Sequence, residues 1–125
     1  MTPGTYLPHQ LGRQAERQAL NYLRTQGLHL LERNFRSRSG EIDLIMTEHD
    51  CLVFVEVRYR NRSDYGGALA SIDSRKQRRI IRCAEYFLQR HPQRLQYPIR
   101  FDVVCVQFNR QQAQCEWIKA AFDTA

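Results

Sequence analysis

The chain has 125 residues, 42% hydrophobic and 26% charged, a balance that suits one folded domain and excludes collagenous, low-complexity and disordered classes. Lysine and arginine number 19 against 13 acidic residues, a net charge of +6, and only Lys76 and Lys119 are lysines, which leaves 17 arginines. Arginine's planar fork matches phosphates and carboxylates, so this bias points to a polyanion-binding surface more than to solubility. No apolar run reaches the ~18–20 residues of a membrane span. Met1 to Gln10 shows no basic region followed by an apolar one, so no secretory signal is expected and the expected location is the cytoplasm. Cys51, Cys83, Cys105 and Cys115 stand far apart in apolar segments and form no C-x-x-C pair. They are expected to be reduced core residues, and His9, His29, His49 and His91 show no ligand spacing.

Residues 1–125 read as a single domain, with 1–8 expected to be flexible. From His9 to Gln26 the residues Leu11, Ala15, Ala19, Tyr22 and Leu23 recur at helical spacing, and Gly27 stops the helix. Leu28–Phe35 is a short strand, and Arg36 to Gly40 a polar turn. Glu41–Thr47 alternates, with Ile42, Leu44 and Met46 on one face and Glu41, Asp43 and Ile45 on the other. A three-residue link, Glu48–Asp50, leads into Cys51–Tyr59, where Val53, Val55 and Val57 oppose Leu52, Phe54, Glu56 and Arg58. Asn61–Ala70, with Gly66-Gly67 at its centre, reads as a mobile loop. Ser74 to Gln77 matches a capping box, and Ile80, Ile81, Ala84, Phe87 and Leu88 form the apolar face of a second helix ended by His91-Pro92. Ile99–Phe108 is a fourth strand and Cys115–Ile118 a short fifth. A helix between the third and fourth strands implies that those two run parallel. The fold class is therefore α/β, in the order αβββαββ.

Two acids sit where strands usually carry apolar side chains. Asp43 lies within Gly40-Glu41-Ile42-Asp43-Leu44-Ile45, and Glu56 within Val53-Phe54-Val55-Glu56-Val57-Arg58. A carboxylate in such a run needs a metal, a cation or a sheet edge. The short link makes the two strands antiparallel neighbours, so Asp43 and Glu56 can face each other and repel unless a divalent cation lies between them. Oxygen ligands of this kind suit Mg²⁺ or Mn²⁺. The alternative is structural: Glu56 pairs with Arg58 or Arg60, and Asp43 ends a hairpin.

Asp43, followed after a hairpin by Glu56-Val57-Arg58, resembles the D…(D/E)-x-K active site of restriction-endonuclease-like nucleases. Gly12-x-x-Ala15-Glu16, Arg33-Asn34, Gly40 to Ile45, Phe54 to Val57, Lys76 with Arg79-Ile80, and Arg100 to Val104 are similar to the YraN-like bacterial family. That family is regarded as endonucleases distantly similar to archaeal Holliday-junction resolvases. The resemblance spans Gly12 to Val106, most of the chain. It implies a restriction-endonuclease-like mixed sheet flanked by helices, and a Mg²⁺- or Mn²⁺-dependent endonuclease acting on structured or branched DNA in repair or recombination. It further implies that Asp43 and Glu56 hold the metal with the Val57 carbonyl, and that Glu16 acts as a helix-borne second-shell acid or further ligand. Glu41 is expected to salt-bridge an arginine, and Asp102 to form a structural ion pair.

Arg58 stands where the pattern places lysine. Arginine stays charged at physiological pH, so it cannot be a general base, although it can clamp phosphate in a transition state. Catalysis is thus open in a way that the fold is not, and Lys76 is a candidate substitute. Arg58, Arg60, Arg62, Arg75, Lys76, Arg78, Arg79 and Arg82 face only Asp64 and Asp73 between positions 58 and 82. Such a stretch beside a metal centre suits a nucleic-acid backbone. The expected partner is nucleic acid, DNA in particular, and homodimerisation is open. The rival functions are a non-catalytic nucleic-acid-binding protein with a degenerate site, and a protein–protein adaptor whose acids only form ion pairs.

Overall fold

The computed structural model describes residues 8–60, 72–109 and 112–124. Alanines and leucines at helical spacing build α1 (Pro8–Thr25), so Pro8 belongs to the helix, and Gly27 (φ 98°) turns the chain out of it. The rest of the expected flexible leader, and the Asn61–Ala70 loop with Arg62, lie outside the described residues. Three strands follow, β1 (His29–Ser37), β2 (Gly40–Glu48) and β3 (Cys51–Arg60), then α2 (Ser74–Gln89), a 3₁₀ turn (Pro92–Arg94), β4 (Ile99–Asn109) and β5 (Gln112–Phe122). The strands form one mixed sheet in chain order, antiparallel except for the parallel pair β3–β4, as the intervening helix requires.

The helices cover opposite faces of the sheet. Ala15, Ala19, Leu20 and Leu23 of α1 pack on Leu44, Met46, Val53, Val55, Val104 and Val106. Ile80, Cys83, Ala84 and Phe87 of α2 pack on Ile42, Ile45, Leu52, Phe54 and Phe101. Phe54 stacks on Phe101 at 5.4 Å and meets Phe87 edge-on at 6.0 Å, so truncating it to alanine should cost about 3–5 kcal/mol. Being covered on both faces, β3 is nearly all apolar, and this makes its one buried acid, Glu56, conspicuous.

Four expectations need correction. Ile42 does not share a face with Leu44 and Met46: it packs toward α2, as Ile45 does three residues later. The pleat breaks between Ile42 and Leu44, whose β1 partners are Phe35 and Arg33, and Asn34 between those two lies in the left-handed region (φ 52°). The second helix is capped by Asp73, not Ser74: its Oδ1 accepts the Lys76 N–H at 2.8 Å, while Gln77 Nε2 donates back to the Ile72 carbonyl at 3.1 Å. β5 runs eleven residues rather than four, because Ala113, Cys115 and Trp117 alternate onto the α1-side core while Gln112, Gln114 and Glu116 face outward. The link between β2 and β3 is two residues, His49-Asp50, with His49 in the left-handed region (φ 54°).

Other expectations hold. All four cysteines are unpaired thiols; Cys83 and Cys105 are buried, and Cys51 and Cys115 half-buried. No described helix is long and apolar enough to cross a membrane.

Candidate functional site: a carboxylate cleft walled by cations

β2 and β3 are paired from Glu48↔Cys51 up to Leu44↔Val55, where the ladder ends. One step further, Asp43 turns its carboxylate onto the β3 backbone, and its Oδ2 accepts the Val57 N–H at 2.8 Å. The same move brings it against Glu56. The expected convergence is therefore present, although it is built by a side chain replacing the ladder rather than by a ladder pair. Burial first, and then the Glu56 charge, push the Asp43 carboxyl up to about 9; the Val57 N–H opposes the shift, and hydrogen bonding to Glu56 and the Glu16 charge add to it. Like charges in a dry place cannot both ionise without a cation between them.

Glu56 is only 5% exposed, and two cations hold the same oxygen. Lys76 Nζ lies 3.0 Å and Arg58 Nη1 3.3 Å from Glu56 Oε2. Arg58 is two residues along the strand and so shares a face with Glu56. Lys76 arrives from the first turn of α2, which the Asp73 cap fixes in place. The structural pairing of Glu56 with Arg58 thus exists, and it coexists with the carboxylate pair.

A cleft of about 300 Å³ opens above these groups, lined by Gly40, Asp43, Glu56, Arg58, Lys76 and Arg79 among others. Gly40 (φ 156°) takes a backbone conformation that side chains rarely adopt, beside Arg79 of α2. Arg75 and Arg78 lie exposed on the same helix, and Arg60 is half-buried at the end of β3.

Glu16 reaches the site from α1 through a residue that sequence reasoning named only as part of a motif. In the amide orientation that satisfies both neighbours, Asn34 Nδ2 donates to Glu16 Oε1 at 3.0 Å and to Glu41 Oε1 at 3.2 Å. Burial and the Glu41 charge raise the Glu16 carboxyl above its ordinary value, Glu56 adding to them while Arg33 and Asn34 oppose. Glu41 forms the expected arginine pair, with Arg36 at 3.4 Å. Among the described residues, no group of three or more His, Cys, Asp and Glu side chains stands close enough to hold a metal ion. Any metal would rest on Asp43 and Glu56, with water, backbone or substrate completing its shell.

Asp102 lies elsewhere and does something else. It is fully buried and accepts from Arg100 Nε at 3.0 Å, Trp117 Nε1 at 2.9 Å and the Ala120 N–H at 2.9 Å. Arg100 continues to Glu48 at 2.7 Å. This is the expected ion pair, extended to tie β5 to the sheet, and only the Arg100-x-Asp102 spacing hinted at it.

Comparison with known proteins agrees with the motif reading. Residues 15–106 match the model of "Uncharacterised protein family UPF0102". A UPF0102 protein of Alcanivorax borkumensis is 52% identical over 112 residues, covering 89% of this chain and 90% of its own. One from Pseudomonas putida is 50% identical over 117 residues, covering 93% and 95%. With such a match over most of its length, the chain belongs to the UPF0102 family, the YraN-like group whose motifs it carries.

Proposed function

We propose that this chain is a divalent-metal-dependent endonuclease with a restriction-endonuclease-like fold, acting on structured or branched DNA. The observation that carries the reading is the Asp43–Glu56 pair, two carboxylates pressed together in a cleft whose other wall is cationic. A carboxylate pair of this kind suits Mg²⁺ or Mn²⁺, which keep much of their water shell and take substrate oxygens. When bound, such an ion lowers the pKa of a water and offsets charge developing on phosphate.

The chain's own residues do the rest. The Val57 N–H fixes the Asp43 carboxylate in one orientation. Arg58 and Lys76 hold Glu56 and, with Arg79, give a phosphate cationic partners from β3 and α2. Lys76 supplies from α2 an ammonium at the acid where the D…(D/E)-x-K pattern supplies it from the strand. Arg75, Arg78, Arg79 and Arg60 extend the positive surface along which a backbone would lie.

One observation favours the rival, a DNA-binding protein without turnover: the two cations on Glu56 already compensate it without a metal. Calorimetric titration with Mn²⁺, paired with cleavage time courses on branched and duplex DNA, separates the two. Wild type should bind Mn²⁺ and cleave, and Asp43→Ala should do neither. Metal binding without cleavage supports the rival. Absence of both metal and DNA binding refutes the nuclease and the binder together, and activity surviving in Glu56→Ala identifies a contaminant.

A further inference from the structure

α2 carries Arg79, Arg82 and Tyr86, and Arg90 caps its C-terminus, at spacings of three, four and four, which places them along one side of the helix. Arg79 lines the carboxylate cleft, and Tyr86 lies seven residues on, about 10 Å along the axis or about three base steps at ~3.4 Å. Between them the buried Cys83 directs its Sγ to the Gly40 carbonyl at 3.5 Å, which holds this side of the helix against the β1–β2 hairpin.

Tyr86 is a large ring that the core does not consume. It is 40% exposed, and its apolar support is Phe35, whose centroid lies 6.1 Å away. Phe35 is itself seated edge-on against the core ring Phe87 at 5.2 Å. The Arg90 guanidinium stands over the Tyr86 ring, 5.6 Å from its centroid, with Nη1 3.2 Å from the phenol oxygen. A second hollow, of about 250 Å³, lies between Tyr86 and the turn residues Ser37, Arg38 and Ser39. Its lining offers an aromatic face, two hydroxyls and a cation, and no carboxylate.

We infer that the Tyr86 hollow is a stacking subsite for one unpaired nucleobase of the same strand whose backbone enters the Asp43–Glu56 cleft. This rests on the nucleic-acid reading above and narrows it to substrates with single-stranded character beside the bound phosphate. A ring with apolar backing and an adjacent guanidinium stacks any base, since every base has a π-face, and the hydroxyls meet its polar edge. A fully paired base keeps both faces inside the duplex stack and cannot occupy the hollow.

The test measures Kd by fluorescence anisotropy, without divalent metal, for three labelled DNAs: a blunt duplex, the duplex with a single-stranded overhang, and the same overhang made abasic. The abasic strand keeps every phosphate and removes only the rings. Wild type should prefer the ordinary overhang to the abasic one by at least about fivefold, the lower end of a base–aromatic stack. Tyr86→Phe should keep that preference. Tyr86→Leu, which preserves packing on Phe35, should lose it while binding the blunt duplex as wild type does. Equal affinity of wild type for the two overhangs, or a preference that survives in Tyr86→Leu, overturns the subsite alone. Failure to bind any of the three DNAs overturns the nucleic-acid reading and the subsite with it.

Discussion

Replacing Asp43 by asparagine separates two things its carboxylate does. The carboxamide oxygen can still accept the Val57 N–H, and its NH₂ can meet Glu56 as a protonated Asp43 would, but no second negative charge can form. In wild type, burial and then Glu56 raise the carboxyl from 3.8 to about 9, so the folded protein keeps a proton that the unfolded chain releases. The associated stability is complete below the unfolded pKa and is lost as pH rises through the folded one. Each pH unit in that window is worth about 1.36 kcal/mol. Between pH 5 and pH 7, wild type without metal should therefore lose about 3 kcal/mol relative to Asp43→Asn. Urea denaturation of both proteins in chelator at the two pH values reads the difference directly. Mn²⁺ at ~100 times its Kd should then return about 2.7 kcal/mol to wild type and much less to the variant. A gap between the two proteins that is the same at pH 5 and pH 7, or equal stabilisation of both by Mn²⁺, refutes the account of the pair.

Arg58→Lys should raise metal-dependent cleavage if turnover is limited by an arginine that cannot accept a proton, whereas Arg58→Ala should lower it; a nicking time course that is slower for lysine identifies Arg58 as a phosphate clamp instead. Reversing the charge at Arg75 and Arg79 should weaken DNA binding across sequences and flatten the plot of log K against log salt by about one to two units; an unchanged slope places the binding face elsewhere. Asp102→Ala should cost about 1–3 kcal/mol in chemical denaturation, because it removes the buried acceptor shared by Arg100, which keeps Glu48, and by the Trp117 and Ala120 donors on β5, and a loss under 1 kcal/mol contradicts that role.

What the sequence reveals of this fold is what depends on regular periodicity. The α1 face, the β3 alternation and the parallel β3–β4 pair follow from residue spacing and from one helical crossover. Regularity fails at Asn34 and Asp43. A left-handed residue on β1 breaks the pleat of its neighbour, and Ile42 swings to the other face of the sheet. No period-two rule anticipates this, since asparagine tolerates the conformation without requiring it. The extent of β5 was hidden for a related reason: an edge strand whose outer face is Gln, Gln and Glu offers only Ala113, Cys115 and Trp117 as an inner signal.

The acids and the Arg58 partner of Glu56 are legible on the strands themselves, whereas Lys76 is legible only as a candidate, and the difference is physical. A carboxylate inside an apolar strand is anomalous at its own position, so Asp43 and Glu56 stand out without any knowledge of what surrounds them. A lysine in the first turn of a helix is ordinary. Lys76 acquires meaning only because Asp73 caps α2 at that point and α2 packs on the β1–β2 hairpin, with Cys83 Sγ 3.5 Å from the Gly40 carbonyl. From there its ammonium reaches the oxygen that Arg58 also holds. The local pattern around Glu56 therefore understates the site. Read along the strand it lacks a lysine; read across the fold it has one, carried on a neighbouring element 20 residues later. A charge is defined at an acid by where its atom ends up, so a substitution at the usual position does not by itself remove the function that position serves.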